Sequence, residues 1–338
     1  MNDSNMLIDY IQKWGNSASI ALFDPLCKRF SIPSMEGFIG YRDTLKCAVS
    51  LCDPVCPPEN IEQLTNAFHE YCNEHNKTVI YLAASEKFMQ LILEHKKNWT
   101  ALEICQEIII DPSQDPKART GSHASLLRNK YNQAIRNGVV VKEYSGFDQE
   151  LEEKLEQLSA AWLANRKGLQ LHYAHNGIFT NRSNKRWFYA EQNGIILGFL
   201  VINRIDAHNG WVLNILRITP EAPKFTSEVI LLSAFDILRK EGCQFFSTGP
   251  SPAPTVGEIK GVGATTEWLV RKSYQVAKKI FKLNDRQRFW KKFEPRLQPT
   301  FILFSRSRIG LSEVLGILNT YNTNMGKKKP KRIEPISS

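Results

Sequence analysis

Hydrophobic and polar positions along the chain alternate with a period of two in some segments and of three to four in others, and the switches between periods mark the elements. The clearest run is Trp211 to Gly249. Trp211–Ile218 is an apolar, β-rich strand, and Glu221-Ala-Pro is turn-like. From Thr226 to Lys240 the residues Val229, Leu232, Phe235, Ile237 and Leu238 recur at helical spacing, and Gln244–Ser247 is a second short strand. A strand, a crossover helix and a strand imply a parallel or mixed sheet, whose ligands bind beyond the carboxyl ends of the strands. Asn214 and Arg217 fall on or near such an end.

The same reading extends in both directions. Asn5–Trp14 predicts an amphipathic helix, Ser19–Phe23 a strand, and Phe30–Ile32, Gly37–Arg42 and Leu45–Leu51 further strands. Pro57-Pro58-Glu59 opens a helix to about Glu74, with Ile61, Leu64, Phe68 and Tyr71 on one face. A strand Thr78–Leu82, a helix capped by Ser85 and a strand Ala101–Ile110 follow. Thr120–Asn137 is a helix closed by Asn137-Gly138, then come a strand Val139–Tyr144, a helix Asp148–Arg166, and a hairpin of Lys185–Ala190 with Ile195–Arg204 across Asn193-Gly194. A stiff loop begins at Pro250, followed by helices over Thr266–Lys279 and Asn284–Lys292, a strand Phe301–Ser305, a helix Leu311–Tyr321 and a disordered tail from Gly326. The two halves repeat the order of elements in outline, so the expected organisation is one domain over residues 1–137, a second over 138–322 with the active site, and a basic tail over 323–338.

Charge changes the picture more than composition does. The 338 residues are 42% hydrophobic and 23% charged, as in soluble globular proteins. Apolar runs are too short to span a bilayer and the N-terminus carries acids where a signal peptide carries bases, so a cytoplasmic location, peripheral to a membrane at most, is expected. The net charge of +10 is concentrated. Arg271–Arg296 holds ten Lys/Arg against Asp285 and Glu294, with Phe281, Phe289, Trp290 and Phe293 interleaved, and Lys327–Arg332 adds five bases. Such a face implies a polyanionic partner, either nucleic acid or an anionic membrane surface. Seven cysteines read as reduced core thiols, and Cys47-x4-Cys52-x3-Cys56 lacks zinc-knuckle spacing, so no metal site is expected.

The strand, turn, helix and strand around Pro220 resemble the heart of GNAT-type acetyltransferases, in which a glycine-rich turn offers N–H groups to a pyrophosphate. Here the turn is Pro220-Glu-Ala-Pro-Lys-Phe-Thr, without glycine, with two prolines and a glutamate. It reads as an acyltransferase scaffold that does not use coenzyme A. Gly40-Tyr-Arg with Leu51-Cys-Asp-Pro-Val-Cys-Pro-Pro-Glu, Leu127-Arg-Asn-Lys, Leu213-Asn-Ile-Leu-Arg and Phe289-Trp-Lys-Lys-Phe-Glu-Pro together resemble the C-terminal synthase domain of lysyl-phosphatidylglycerol synthases. That resemblance implies an α/β fold of two tandem GNAT-like domains with mixed sheets. It also implies an aminoacyltransferase that takes its acyl group from aminoacyl-tRNA, without a further cofactor, and esterifies a lipid hydroxyl such as that of phosphatidylglycerol. The family usually carries Asp where Asn214 stands, so a lysyl group is not favoured here. Arg217 is implied to hold the donor or an anionic head group, and Lys292 matches a basic residue of the family.

An activated ester needs alignment and oxyanion stabilisation rather than a dedicated nucleophile, and the chain shows no Gly-x-Ser-x-Gly elbow. Arg217, Asn214 and Glu267 are the catalytic candidates, with His172 and His175 as weaker proton carriers. Lys292, Arg288, Lys291 and Arg286, flanked by Lys278 and Lys279, are the substrate-binding candidates, as phosphate contacts. Two alternatives remain at this level: a GNAT-scaffold acyltransferase with a soluble acceptor, and a non-catalytic nucleic-acid or membrane-binding module.

Overall fold

The computed structural model describes residues 3–165, 177–281 and 285–321. Its centre is one mixed twelve-stranded sheet with helices on both faces. The strands are β1 (Lys28–Phe30), β2 (Ile39–Asp43), β3 (Cys47–Ser50), β4 (Thr78–Ser85), β5 (Thr100–Ile110), β6 (Val139–Tyr144), β7 (Lys185–Gln192), β8 (Ile195–Ile205), β9 (Gly210–Ile218), β10 (Phe246–Pro252), β11 (Ile259–Lys260) and β12 (Arg296–Phe304). The helices are α1 (Asp3–Trp14), α2 (Ile61–Glu74), α3 (Glu86–His95), α4 (Ser122–Arg136), α5 (Gln149–Ala164), α6 (Thr226–Lys240), α7 (Ala264–Phe281), α8 (Asp285–Trp290) and α9 (Leu311–Tyr321). Strand order across the sheet is β1-β2-β3-β4-β12-β5-β10-β9-β8-β7-β6, with β11 beside β5.

The unit read from the sequence is present: β9 and β10 pair in parallel, and α6 crosses between them. Its apolar face, including Val229, Leu232, Phe235 and Leu238, packs on Phe188, Leu200, Ile202 and Phe246. The unit recurs in the first half, where β3 and β4 pair in parallel around α2. All remaining pairings are antiparallel. β12 lies between β4 and β5, so residues near position 300 complete the sheet of the first half. No helix among the described residues is long and apolar enough to cross a membrane.

Four local expectations are corrected. Ser19–Phe23 is not a strand but part of a 3-10 helix, Ser17–Phe23, fixed by the Asn16 side chain accepting from Ala18 N–H and by Ser19 closing a capping box. The short apolar run fits either period, and the cap decides between them. The loop expected from Pro250 is strand as far as Pro252, because β10 shifts register against β5 between Ser247 and Pro250 and so places proline where the ladder is already broken. Gly249 takes φ +75° at this shift, a conformation open to glycine. β12 begins at Arg296 rather than Phe301. The basic helix is split into α8 and a 3-10 turn, Lys291–Phe293. Cys47 and Cys52 sit in one buried cluster and Cys56 in another. The tail from Gly326 lies outside the described residues.

Candidate functional site

β9 and β10 are paired only at Trp211 with Phe246 and at Val212 with Ser247. Beyond these residues β10 follows β5 and β9 follows β8, so a wedge opens at the carboxyl ends of the parallel pair. β9 also carries one residue too many. Val201 faces Ile215 and Ile202 faces Leu213, which leaves Asn214 unopposed as a bulge.

The bulge decides where the side chains point. In a regular strand, residues three apart lie on opposite faces. Here Asn214 and Arg217 share one face. The Asn214 Nδ2 donates to Asn203 Oδ1 at 2.7 Å, and Arg217 Nη1 donates to the Ser159 carbonyl of α5 at 3.0 Å. Ile215 joins the cluster of Leu155 on α5. The Arg217 guanidinium also lies 5.1 Å from the centroid of the Trp162 ring, a cation–π distance.

Behind Asn214 runs a chain of neutral amides. Asn203 Nδ2 donates to Asn184 Oδ1, and both residues are fully buried. Next to Asn184, Lys185 is 6% exposed and donates to the Gly177 carbonyl at 2.6 Å. Burial pulls its ammonium down to about 8.

The turn before α6 is closed on itself. Ala222 N–H bonds the Thr219 carbonyl and Thr226 N–H the Pro223 carbonyl, both at 3.2 Å. Pro220 and Pro223 have no N–H to offer. Phe225 holds φ +74°, a strained conformation for an aromatic residue. In the first turn of α6, Glu228 is buried, accepting from Lys292 Nζ and from Ser227 Oγ at 2.7 Å. A phosphate at this helix N-terminus would meet a carboxylate. Lys292 lies 4.4 Å from the Phe289 ring centroid and Lys130 5.2 Å from that of Phe225. Arg119 donates to the Phe293 carbonyl at 2.9 Å and ties the loop before α4 to this corner.

The structure brings Asn214 and Arg217 together on the α5 side of the sheet, and places Lys292 on the α6 side. Arg288 and Lys291 are exposed beside Lys292. Glu267 lies in the first turn of α7, where it pairs with Arg271 at 2.8 Å. Arg271 in turn holds the carbonyls of Val256 and Gly257. Lys278 donates to the Pro254 carbonyl. His172 and His175, and the side chains of Lys279 and Arg286, lie outside the described residues. Sequence reading missed Asn203, Lys185 and Glu228. Two of them had a signal, since Asn203 interrupts an apolar strand and Glu228 sits among Val229, Ile230 and Leu231 on a buried helix.

The profile of the family described as phosphatidylglycerol lysyltransferase, C-terminal, matches residues 9–304. A phosphatidylglycerol lysyltransferase of Staphylococcus epidermidis is 22% identical over 303 residues, covering 88% of this chain and 35% of that protein. One from Staphylococcus aureus is 21% identical over 316 residues, covering 91% and 36%. The chain therefore spans about a third of the length of these relatives. The structure of L-PGS from Bacillus licheniformis shares the fold, with a TM-score of 0.77 and 19% identity over 94% of this chain and 95% of that one. Since the profile match runs from α1 to the last residue of β12, the chain belongs to the family of phosphatidylglycerol lysyltransferase C-terminal domains.

Proposed function

We propose that this chain moves an aminoacyl group from aminoacyl-tRNA to the hydroxyl of an anionic lipid such as phosphatidylglycerol. The observation that carries the reading is the wedge between β9 and β10, bordered by Asn214 and Arg217 on one face through the bulge. The relatives' names supply the lipid and the transfer. The closed turn before α6, with Glu228 in its first helical turn, favours a donor other than coenzyme A.

The lipid hydroxyl oxygen attacks the ester carbonyl carbon. The carbon–oxygen bond to the terminal ribose of the tRNA then breaks, and the proton of the lipid hydroxyl ends on the ribose oxygen. The donor is already activated, so the protein's part is alignment and charge stabilisation. Arg217 is the group that faces the lipid phosphate or the developing oxyanion. Asn214, held by Asn203, offers a neutral carbonyl oxygen to the aminoacyl group, which suits an uncharged side chain better than lysine. Exposed Arg288 and Lys291 are placed to contact tRNA or lipid phosphates, as positioning contacts.

The test is to incubate the purified chain with total tRNA charged with radiolabelled amino acids and with a total lipid extract, using ribonuclease-treated tRNA as control. Ribonuclease-sensitive label in the organic phase supports the transfer, and the labelled amino acid identifies what Asn214 accepts. Label that never leaves the aqueous phase, with every charged tRNA supplied, overturns the lipid acceptor.

A further inference from the structure

A second polar site lies over the middle of the sheet, on β4, β12 and β5, and reaches Pro250 of β10. A cavity of about 140 Å³ is lined by Arg296, Gln298 and Thr300 of β12, by Glu107 of β5 and by Ser85 of β4. Register explains the lining. Gln298 pairs with Glu107, Arg296 with Ile109 and Thr300 with both Cys105 and Ser85, so alternate residues of adjacent strands present one face. Asn16 and His208 close it from above. Its volume is roughly ten times the ~10–15 Å³ that admits one water.

Among the described residues neither charge in this cavity is balanced by an ion pair. Glu107 accepts a hydrogen bond from Ser247 Oγ at 2.6 Å, and among the described residues it has no ion-pair partner. Arg296 likewise has none. The two stand diagonally across the β5–β12 ladder, where side chains start about 7–8 Å apart, and they do not close on each other. Elsewhere opposite charges that neighbour on adjacent strands do pair, as Lys142 with Glu191 and Arg186 with Glu143. The floor adds a third observation. Thr300 lines the cavity and is 5% exposed, and among the described residues its Oγ, buried behind the cavity wall, has no hydrogen-bond partner. Buried hydroxyls of this kind are nearly always satisfied.

We propose that this cavity binds a small zwitterion of the α-amino acid class, with its ammonium on Glu107 and its carboxylate on Arg296. The volume suits a compact amino acid, and the spacing of an anion and a cation matches a ligand that carries both charges. Binding here requires neither tRNA nor lipid, so it stands or falls separately from the transfer reaction.

Calorimetric titration of the full chain with L-alanine tests the proposal, with acetate and methylammonium as ligands that carry one charge each. L-alanine is expected to bind at least about tenfold more tightly than either half-ligand, because each charge-assisted contact adds affinity. Arg296→Gln, at an exposed position, is expected to weaken L-alanine about tenfold, while Arg296→Lys keeps most of the affinity. Glu107→Gln is expected to weaken L-alanine and methylammonium and to leave acetate unaffected. Equal L-alanine affinity in the wild type and Arg296→Gln, or no heat with any amino acid, overturns the proposal. So does tighter binding of phosphoethanolamine than of every amino acid, which would assign the cavity to a lipid head group.

Discussion

Arg217 combines a directed hydrogen bond to the Ser159 carbonyl with a ring contact on Trp162, and both depend on a planar guanidinium. Arg217→Ala is therefore expected to lower transfer at least about tenfold, and Arg217→Lys to recover little, because an ammonium cannot hold both contacts at once. Initial rates of lipid labelling at saturating tRNA check this. Asp53 gives a second prediction, in stability. Its carboxylate accepts the Ser85 N–H at 2.9 Å, yet burial, the largest influence, pushes it up to about 6. The folded protein thus holds this proton above the ordinary carboxylate range near ~3.9. The stability the protonated group contributes is complete below about pH 4 and is lost as pH rises through about 6, at most about 3 kcal/mol. Asp53→Asn, which keeps the acceptor oxygen, is expected to exceed the wild type in stability at pH 7 and to match it at pH 4. Urea denaturation of both proteins across that range reads the difference directly.

At the scale of elements, two local irregularities matter most. The first is the bulge in β9, where a single unopposed residue sets Asn214 and Arg217 on one face. The second is the first turn of α6, where Glu228 is buried and depends on Lys292 for its charge balance. Removing one partner leaves a buried charge uncompensated, whereas replacing both leaves none. Lys292→Met is expected to destabilise the protein by about 3–5 kcal/mol, and the double change Glu228→Gln with Lys292→Met to restore most of it. The comparison separates a structural role of Lys292 from a role in substrate binding. If the double variant is stable and still inactive, Lys292 also serves the substrate.

At the scale of the molecule, the sheet is continuous and its centre is completed late in the chain. β12 makes the whole of its ladder with β4 and β5, pairing with residues 187 to 224 positions earlier. A chain ending before Arg296 would expose two strand edges and lose the packing of Phe301, Leu303 and Phe304. Such a truncation is expected to lose cooperative unfolding, with the near-ultraviolet circular dichroism of the aromatic core lost as well. A first half that folded alone, with a sharp thermal transition, would contradict this. The long-range closure also predicts that substitutions at Phe301 or Leu303 destabilise both halves together, so one transition and not two should be seen in every probe.

The sequence alone determined what depends on local chemistry. Apolar spacing located α6 and its flanking strands, Asp148 and Ser85 marked helix starts, and the composition of the turn at Pro220 already excluded a ready-made phosphate cradle. It also carried the family, through short motifs in the right order. The tertiary structure decided the rest, because those features are relations between distant residues. Strand register placed Glu107 across from Gln298, and the Ser19 hydroxyl of the 3-10 helix donates to Cys52 Sγ, 33 residues on, at 3.5 Å. Most of all, periodicity alone places residues 214 and 217 on opposite faces of a strand. Only the pairing of β8 with β9 shows the extra residue that puts them side by side.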